Sequence, residues 1–223
     1  MLIHEHFDPE YEYFDIALLR MKTRIPKTEN VSQICLPDHS LKTDANACMI
    51  MGWGDWNEND TELHYELLEI DIPILNESFC KELYGKDFQQ NSMICAVQLL
   101  GGKDTCNGDS GGPLVCNVAE EKDIPLPMPV AVGITSYGNG CARIDTPTVY
   151  VSIRYHLDWI VKYADNVDLI PPINQYTVNN DAQLTNVEEN KVYLLILISI
   201  CSIYFFLLVG LYIYVAQLML HVK

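Results

Sequence analysis

Short apolar runs separated by turn residues constrain the fold of this 223-residue chain more than any other feature. Residues 48–54, 67–74 and 93–96 are such runs, and Gly, Pro and Asn interrupt the sequence roughly every eight to twelve residues. Within residues 67–74, Leu or Ile stands at positions 68, 70, 72 and 74, which is the pattern of a half-buried strand. The spacing alone predicts an antiparallel β-sandwich or β-barrel.

The composition allows a buried core and argues against binding to nucleic acid. Apolar residues make up 49% of the chain, and the formal net charge is −16. The 14 Lys and Arg residues are scattered, whereas a phosphate backbone requires clustered positive charge. We therefore expect no nucleic-acid partner; an acidic surface fits a secreted protein and basic substrates better.

One loop, residues 101–113, carries the strongest chemical signal. It reads Gly-Gly-Lys-Asp-Thr-Cys-Asn-Gly-Asp-Ser-Gly-Gly-Pro and places Ser110 among glycines and carboxylates. Gly108 allows the backbone to turn so that amide N–H groups converge beside the serine hydroxyl, as acyl transfer requires of a nucleophile and its oxyanion donors. A glycine-rich turn with an incidental serine is the alternative for a lone Gly-Asp-Ser-Gly.

This run, with Cys106 before the serine and Cys116 after it, closely resembles the signature of the chymotrypsin/trypsin family of serine peptidases. Four more segments resemble the family in the right order. They are residues 15–19 around the triad aspartate, 52–54 in the second barrel, 134–138 in the substrate-binding strand, and 159–160 in the closing helix.

The resemblance covers about residues 2–165 and implies an all-β fold. Within a peptidase domain of residues 1–165, it implies a remnant of the first barrel over residues 1–33. The C-terminal six-stranded antiparallel barrel of the chymotrypsin-like double barrel would follow over 34–154, and a terminal helix over 155–165.

Catalytic roles follow from the same resemblance. Ser110 would be the nucleophile, Asp15 the carboxylate that orients a histidine, and the amides of Gly108 and Ser110 the oxyanion donors. The expected reaction is endopeptidase cleavage of polypeptides without a cofactor, so the expected partners are polypeptide substrates or protease inhibitors. The implied substrate-binding residues are Ser136, Tyr137 and Gly138.

Two further positions concern specificity. Asp104 lies six residues before Ser110, where trypsin-type members carry the carboxylate at the base of the primary pocket. Such a charge selects Arg or Lys through a largely desolvated ion pair. Thr148 stands where the trypsin-type pattern has Gly, so its side chain is expected to narrow the pocket. We expect cleavage after basic residues at reduced efficiency.

The general-base histidine has no counterpart in this pattern. In the family it lies far before the aspartate, and only 14 residues precede Asp15. His4 and His6 are interpreted as solvated loop residues, with takeover of the base role by either as the alternative. We expect a serine endopeptidase in its complete form, although this chain is expected to be inactive as it stands. The alternative is a truncated or pseudo-protease chain that acts as a non-catalytic binding domain. The other histidines near the domain, none expected to face the cleft, are His39, His64 and His156.

Cysteines and glycosylation sequons favour an oxidising compartment. The chain has eight cysteines but no Cys-x-x-Cys and no His pair at zinc spacing, so we expect no metal site. The sequons begin at Asn30, Asn59 and Asn76. The family resemblance implies disulfides Cys48–Cys116, Cys80–Cys95 and Cys106–Cys141, with Cys35 left over.

The C-terminal part changes character twice. Residues 166–191 are polar and contain two consecutive prolines, which is typical of a stalk. Residues 192–219 are apolar without a charge and long enough to cross a bilayer as a helix. His221, Val222 and Lys223, beyond this run, favour a retained span over a cleaved lipid-anchor signal. We expect a single-pass membrane protein whose peptidase domain is extracellular or lumenal.

Overall fold

The computed structural model describes residues 1–23, 25–55, 58, 65–98, 101–118, 128–164 and the backbone of 196–198. This part of the chain is mostly β-structure. Its strands are β1 (Leu2–Ile3), β2 (Ala17–Leu19), β3 (Thr43–Gly52), β4 (Leu68–Asp71), β5 (Met93–Ala96), β6 (Pro113–Val118), β7 (Pro129–Tyr137), β8 (Thr148–Ser152) and β9 (Ile196–Ile198). Its α-helices are α1 (Glu77–Tyr84) and α2 (Leu157–Tyr163).

Six of the strands form the predicted antiparallel barrel. They are hydrogen-bonded in the order β4-β3-β6-β7-β8-β5. The two edges meet where Ile74, beyond β4, pairs antiparallel with Ala96 at the end of β5. Leu75 donates its amide to the Cys95 carbonyl and thereby extends this contact.

The barrel is filled by side chains from several strands. Leu114, Val130 and Tyr150, on three adjacent strands, are fully buried, and Ile50 and Ile72 join them in one apolar cluster. Strands that are buried on both faces have nearly continuous apolar sequences. Every residue of β8 is buried. The apolar runs that predicted the barrel therefore supply its core.

The N-terminal segment packs on α2 rather than lying free. Ile16 and Leu18 share an apolar cluster with Leu157 and Ile160 of α2. This corrects the interpretation of His4 as a solvated residue, because only 8% of its surface is exposed.

The ring of His4 contacts aromatic residues that lie far away in the sequence. It stacks on Phe14, with ring centroids 4.9 Å apart, and lies 4.8 Å from the ring of Trp159. Trp159 donates its indole N–H to Glu5 at 2.7 Å. The aromatic contacts and this hydrogen bond fasten the start of the chain to its terminal helix.

The terminal helix lies within the range predicted for it, with one difference. Leu157, Ile160 and Val161 have the i, i+3, i+4 spacing of an amphipathic helix, which predicts that all three are buried. Leu157 and Ile160 are buried, but Val161 is 46% exposed and Trp159 is buried in its place. The predicted disulfides Cys48–Cys116, Cys80–Cys95 and Cys106–Cys141 are all present.

The predicted stalk, residues 166–191, lies outside the described residues, as does the predicted membrane span, 192–219, apart from β9. At these three positions the backbone is a strand paired antiparallel with β2, not the helix expected. Among the residues that the structure describes, no helix is long and apolar enough to cross a membrane.

His156, just before α2, makes the stability of the domain depend on pH. Its Nδ1 donates to the Ser152 carbonyl at 2.8 Å, and its buried Nε2 has no hydrogen-bond partner among the described residues. Burial lowers the pKa of this imidazole from 6.5 to about 4. Between these two values the unfolded chain binds the proton and the folded chain does not, so acid favours unfolding.

We predict that the free energy of unfolding contributed by His156 falls by on the order of 3 kcal/mol as the pH drops from about 6.5 to about 4. Urea unfolding across this range measures it, and His156→Phe removes that component of the slope. His39→Asn is the matched control, because the His39 ring lies on the surface beside Asp158. An identical pH slope in His156→Phe and the wild type would contradict the prediction.

Candidate active site

The serine loop is an extension of the β6–β7 ladder. Gly111 donates its amide to the Thr135 carbonyl at 2.9 Å, and Thr135 donates to the Gly112 carbonyl at 2.9 Å. Gly108 and Gly111 adopt φ of 97° and 80°, a left-handed region that glycine enters without strain. Ser110 is therefore held, half-buried, between two turns that the strand ladder fixes.

Asp109 anchors the loop from inside. Its Oδ1 accepts the Gly54 amide at 2.8 Å, and its Oδ2 accepts the Cys106 amide at 3.0 Å. A Cβ at Gly52 or Gly54 would overlap the Asp109 carboxylate, so this carboxylate requires both glycines of the Gly-Trp-Gly segment. Burial raises the pKa of Asp109, while the two amides oppose the shift.

Asp15 is fully buried and lies against the pocket strand. The Ser136 hydroxyl donates to its Oδ2 at 2.7 Å. In the β7–β8 ladder Thr135 pairs with Tyr150 and Tyr137 pairs with Val149, so Ser136 is the extra residue of a bulge. A bulge re-aims a side chain relative to the regular alternation of a strand, and here it accompanies the contact with Asp15.

Two adjacent residues of β7 thus bring the predicted catalytic groups to one place. Thr135 holds the chain directly after Ser110 through Gly111 and Gly112, and Ser136 holds Asp15. The sequence pattern marked Ser136 only as a substrate-binding residue.

The predicted specificity carboxylate, Asp104, is half-buried beside Thr148. Its Oδ1 accepts the Thr148 hydroxyl and the Thr105 amide, each at 2.8 Å. Its Oδ2 accepts the Ala142 amide at 3.3 Å. Burial raises the pKa of Asp104, and these donors counteract the rise. Thr148 therefore binds the carboxylate directly, a contact that the sequence did not predict.

Asp104 and Asp109 line one cavity of about 320 Å³ between β3, β4 and the serine loop. Ile50 and Leu68 form apolar parts of its wall, Asp55 and Glu69 bring the number of carboxylates to four, and Lys103 also lines it. An excess of acids and apolar walls suits a ligand that is cationic at one end. The residues that line this cavity do not include Ser110, Ser136, Tyr137, Gly138 or Thr148.

Tyr137 and Gly138 continue the strand beyond Ser136. The Tyr137 hydroxyl donates to the Asp87 carbonyl, and its ring meets Tyr84 of α1 edge-on, with centroids 5.9 Å apart. Gly138 is exposed. The backbone beyond Ser136 is therefore accessible, while the neighbouring ring is fixed in place.

All four described histidines lie beside α2. His4 packs on Trp159, His6 lies next to His4, and His39 bonds Asp158 at 3.1 Å. The fourth, His156, immediately precedes the helix. His64 lies outside the described residues.

A sequence model of the family described as Trypsin matches residues 1–160 of this chain. The chain belongs to the trypsin family. Serine protease 56 from Homo sapiens and from Mus musculus is 35% identical over 161 residues, which cover 72% of this chain and 26% of each relative. Trypsin-1 from Astacus astacus is 36% identical over 160 residues, which cover 72% of this chain and 64% of that relative. This trypsin-family chain therefore spans less than two thirds of these relatives.

Two of the sequons in this trypsin-family chain are accessible. Asn30 and Asn76 are exposed, and Asn59 lies outside the described residues. The Asn76 side chain also caps α1, because its Oδ1 accepts the Ser78 amide at 2.8 Å.

Two residues that no sequence pattern marks, Glu58 and Arg143, lie beside the lining residues Cys141 and Ala142. They form an ion pair with 2.6 Å between Glu58 Oε1 and Arg143 Nε, across 85 positions of sequence. No local pattern marks either residue, because an isolated acid or base in a loop is ordinary surface composition.

We predict that Asp109→Asn lowers the free energy of unfolding by about 1–3 kcal/mol, because an amide nitrogen would then face one of two buried N–H donors. Urea unfolding measures the change. Asp55→Asn is the matched control: Asp55 is also half-buried and its charge raises the pKa of Asp109, but its side chain does not anchor the loop. Equal stability of Asp109→Asn and the wild type would refute the anchoring role.

Proposed function

We propose that this trypsin-family domain is the serine endopeptidase unit of a membrane-anchored protein that cleaves after basic residues. One observation carries the proposal: Thr135 and Ser136 of β7 hold the serine loop and the buried Asp15 side by side. A nucleophile and an orienting carboxylate that are both held by one rigid strand fit acyl transfer by a serine peptidase.

In this proposal Ser110 attacks the scissile carbonyl, and the amides of Gly108 and Ser110 receive the oxyanion. Preorganised backbone donors are effective because they need no rearrangement when charge develops. Asp109 supports them by fixing the loop from the interior. Asp15 would orient a histidine and stabilise its protonated form.

The proposed setting is the extracellular or lumenal side of a membrane, with residues 192–219 as the anchor. Three disulfides support an oxidising compartment. Exposure of Asn30 and Asn76 is compatible with glycosylation there. The anchor itself is proposed from the length and apolarity of its sequence, and it requires residues 196–198 to leave the pairing with β2 described above.

A second function, non-catalytic binding of polypeptides, is favoured by the positions of the histidines. The four described ones are engaged beside α2, where His4 and His156 are buried. A serine hydroxyl is a poor nucleophile until a base removes its proton. We therefore propose that none of these four is the general base.

Labelling with a fluorophosphonate separates the two functions for the 223-residue chain. We predict no stoichiometric labelling of Ser110, because the hydroxyl lacks a base from the four described histidines. Ser110→Ala sets the background, and mass spectrometry locates any adduct. Stoichiometric labelling that His4→Ala or His6→Ala abolishes would contradict this and assign the base to the N-terminal segment.

Binding of benzamidine tests the proposed pocket independently of catalysis. We predict that Asp104→Asn weakens binding by about 10–100-fold, because a charge-assisted hydrogen bond to the amidinium is lost. Thr148→Gly should strengthen binding, since it removes one of the two donors to Oδ1 of Asp104 and opens space beside it. Thr146→Gly, at a loop residue whose hydroxyl bonds only a nearby carbonyl, is the control. Equal affinity of Asp104→Asn and the wild type would exclude the pocket.

A further inference from the structure

Glu58, which is remote in the sequence, forms hydrogen bonds to the loop between β7 and β8, residues 138–147. Oε1 of Glu58 accepts the Cys141 amide and the Arg143 Nε–H, each at 2.6 Å, and Oε2 accepts Arg143 Nη2 at 2.8 Å. A bidentate guanidinium–carboxylate pair is directional as well as charged. We call this arrangement the Glu58–Arg143 clamp.

Gly140 makes room for the clamp. Its φ is 91°, and a Cβ on it would overlap Glu58 Oε1 and the Arg143 guanidinium. The clamp therefore requires glycine at this position for both conformation and space.

Ala142 lies between the two clamped residues and makes the contact that matters to the pocket. It adopts φ of 56°, a left-handed conformation that a residue with a Cβ rarely occupies unless its surroundings impose it. Its amide donates to Asp104 at 3.3 Å, and its carbonyl accepts the Gly102 amide at 3.0 Å. The clamp on both flanking residues supplies the constraint that this conformation needs.

We propose that Glu58 and Arg143 are positioning residues for the primary pocket, which hold the Ala142 amide against Asp104 and so tune recognition of a basic side chain. The inference rests on the proposed role of Asp104. It adds a determinant of affinity that lies on the surface and does not touch the ligand.

The surroundings of Asp104 make this amide contact consequential. Tyr84 of α1 interacts electrostatically with Asp104, as does Tyr150 of β8, and Asp109 and Glu69 share its cavity. Asp55 and Lys103 line the same cavity, and Lys103 supplies a positive charge there. Burial raises the pKa of Asp104, and the Ala142 amide is among the donors that lower it. Loss of the clamp should therefore favour the protonated carboxyl.

Benzamidine binding as a function of pH tests the proposal on the 223-residue chain. Glu58→Ala should weaken binding by about 3–10-fold and move the acid midpoint of binding to higher pH, because Asp104 loses a donor to its ionised form. Glu58→Gln should fall between Glu58→Ala and the wild type, since its amide oxygen still accepts the Cys141 amide but its NH2 group would face Arg143 Nη2. Asp158→Asn, which removes the exposed His39–Asp158 pair beside α2, is the control and should change neither quantity.

A shift of the pH midpoint separates positioning from general destabilisation, which would lower affinity without moving the midpoint. Unchanged affinity and midpoint in Glu58→Ala, with binding still lost in Asp104→Asn, would overturn the clamp and leave the proposed pocket intact. A wild-type chain that does not bind benzamidine would overturn both. Hydrogen exchange of the Ala142 amide gives a second test without ligand: Glu58→Ala should accelerate it at least several-fold, and equal rates would also overturn the clamp.

Discussion

The hydrogen bond between Asp15 and Ser136 is the constraint on which the site depends. A fully buried carboxylate costs several kcal/mol unless donors satisfy it, so the segment that carries Asp15 can pack on the barrel only where such a donor is available. The bulge in β7 accompanies the donor, and the preceding residue, Thr135, is hydrogen-bonded to the serine loop. Burial of one acid thereby fixes two distant parts of the chain relative to each other.

The same principle recurs at the other two acids of the site. Asp109 and Asp104 are partly withdrawn from water, and backbone amides of the serine loop and the β7–β8 loop satisfy them. The Cys106–Cys141 disulfide joins these two loops covalently. Desolvation penalises the charged form of both carboxylates, so each requires donors of its own. The architecture of the site is largely an arrangement of N–H groups around carboxylates.

The sequence predicted the features of the structure that depend on local or repeated patterns of residues. Apolar runs predicted the barrel, and the family resemblance predicted the disulfides and the serine loop. The burial of His4 depends on Trp159, which lies beyond the reach of any local pattern, just as the neighbouring Glu5–Trp159 bond spans 154 positions. Val161 fits a helical stripe, yet the axial rotation of α2 is set by what packs on it, and Trp159 is buried instead. The bulge at Ser136 and the Glu58–Arg143 contact likewise follow from tertiary packing.

Native-state hydrogen exchange of the Gly111 and Thr135 amides tests the central claim most directly. If β7 holds both Asp15 and the serine loop, these amides should open with the same free energy as the barrel amides of β6 and β7. Asp15→Asn should then lower the opening free energies of all these amides together. Two results would contradict the coupling of carboxylate and nucleophile through Thr135 and Ser136. One is exchange of the Gly111 amide at the rate of an exposed loop. The other is unchanged protection of the loop amides in Asp15→Asn while the protection of the barrel amides falls.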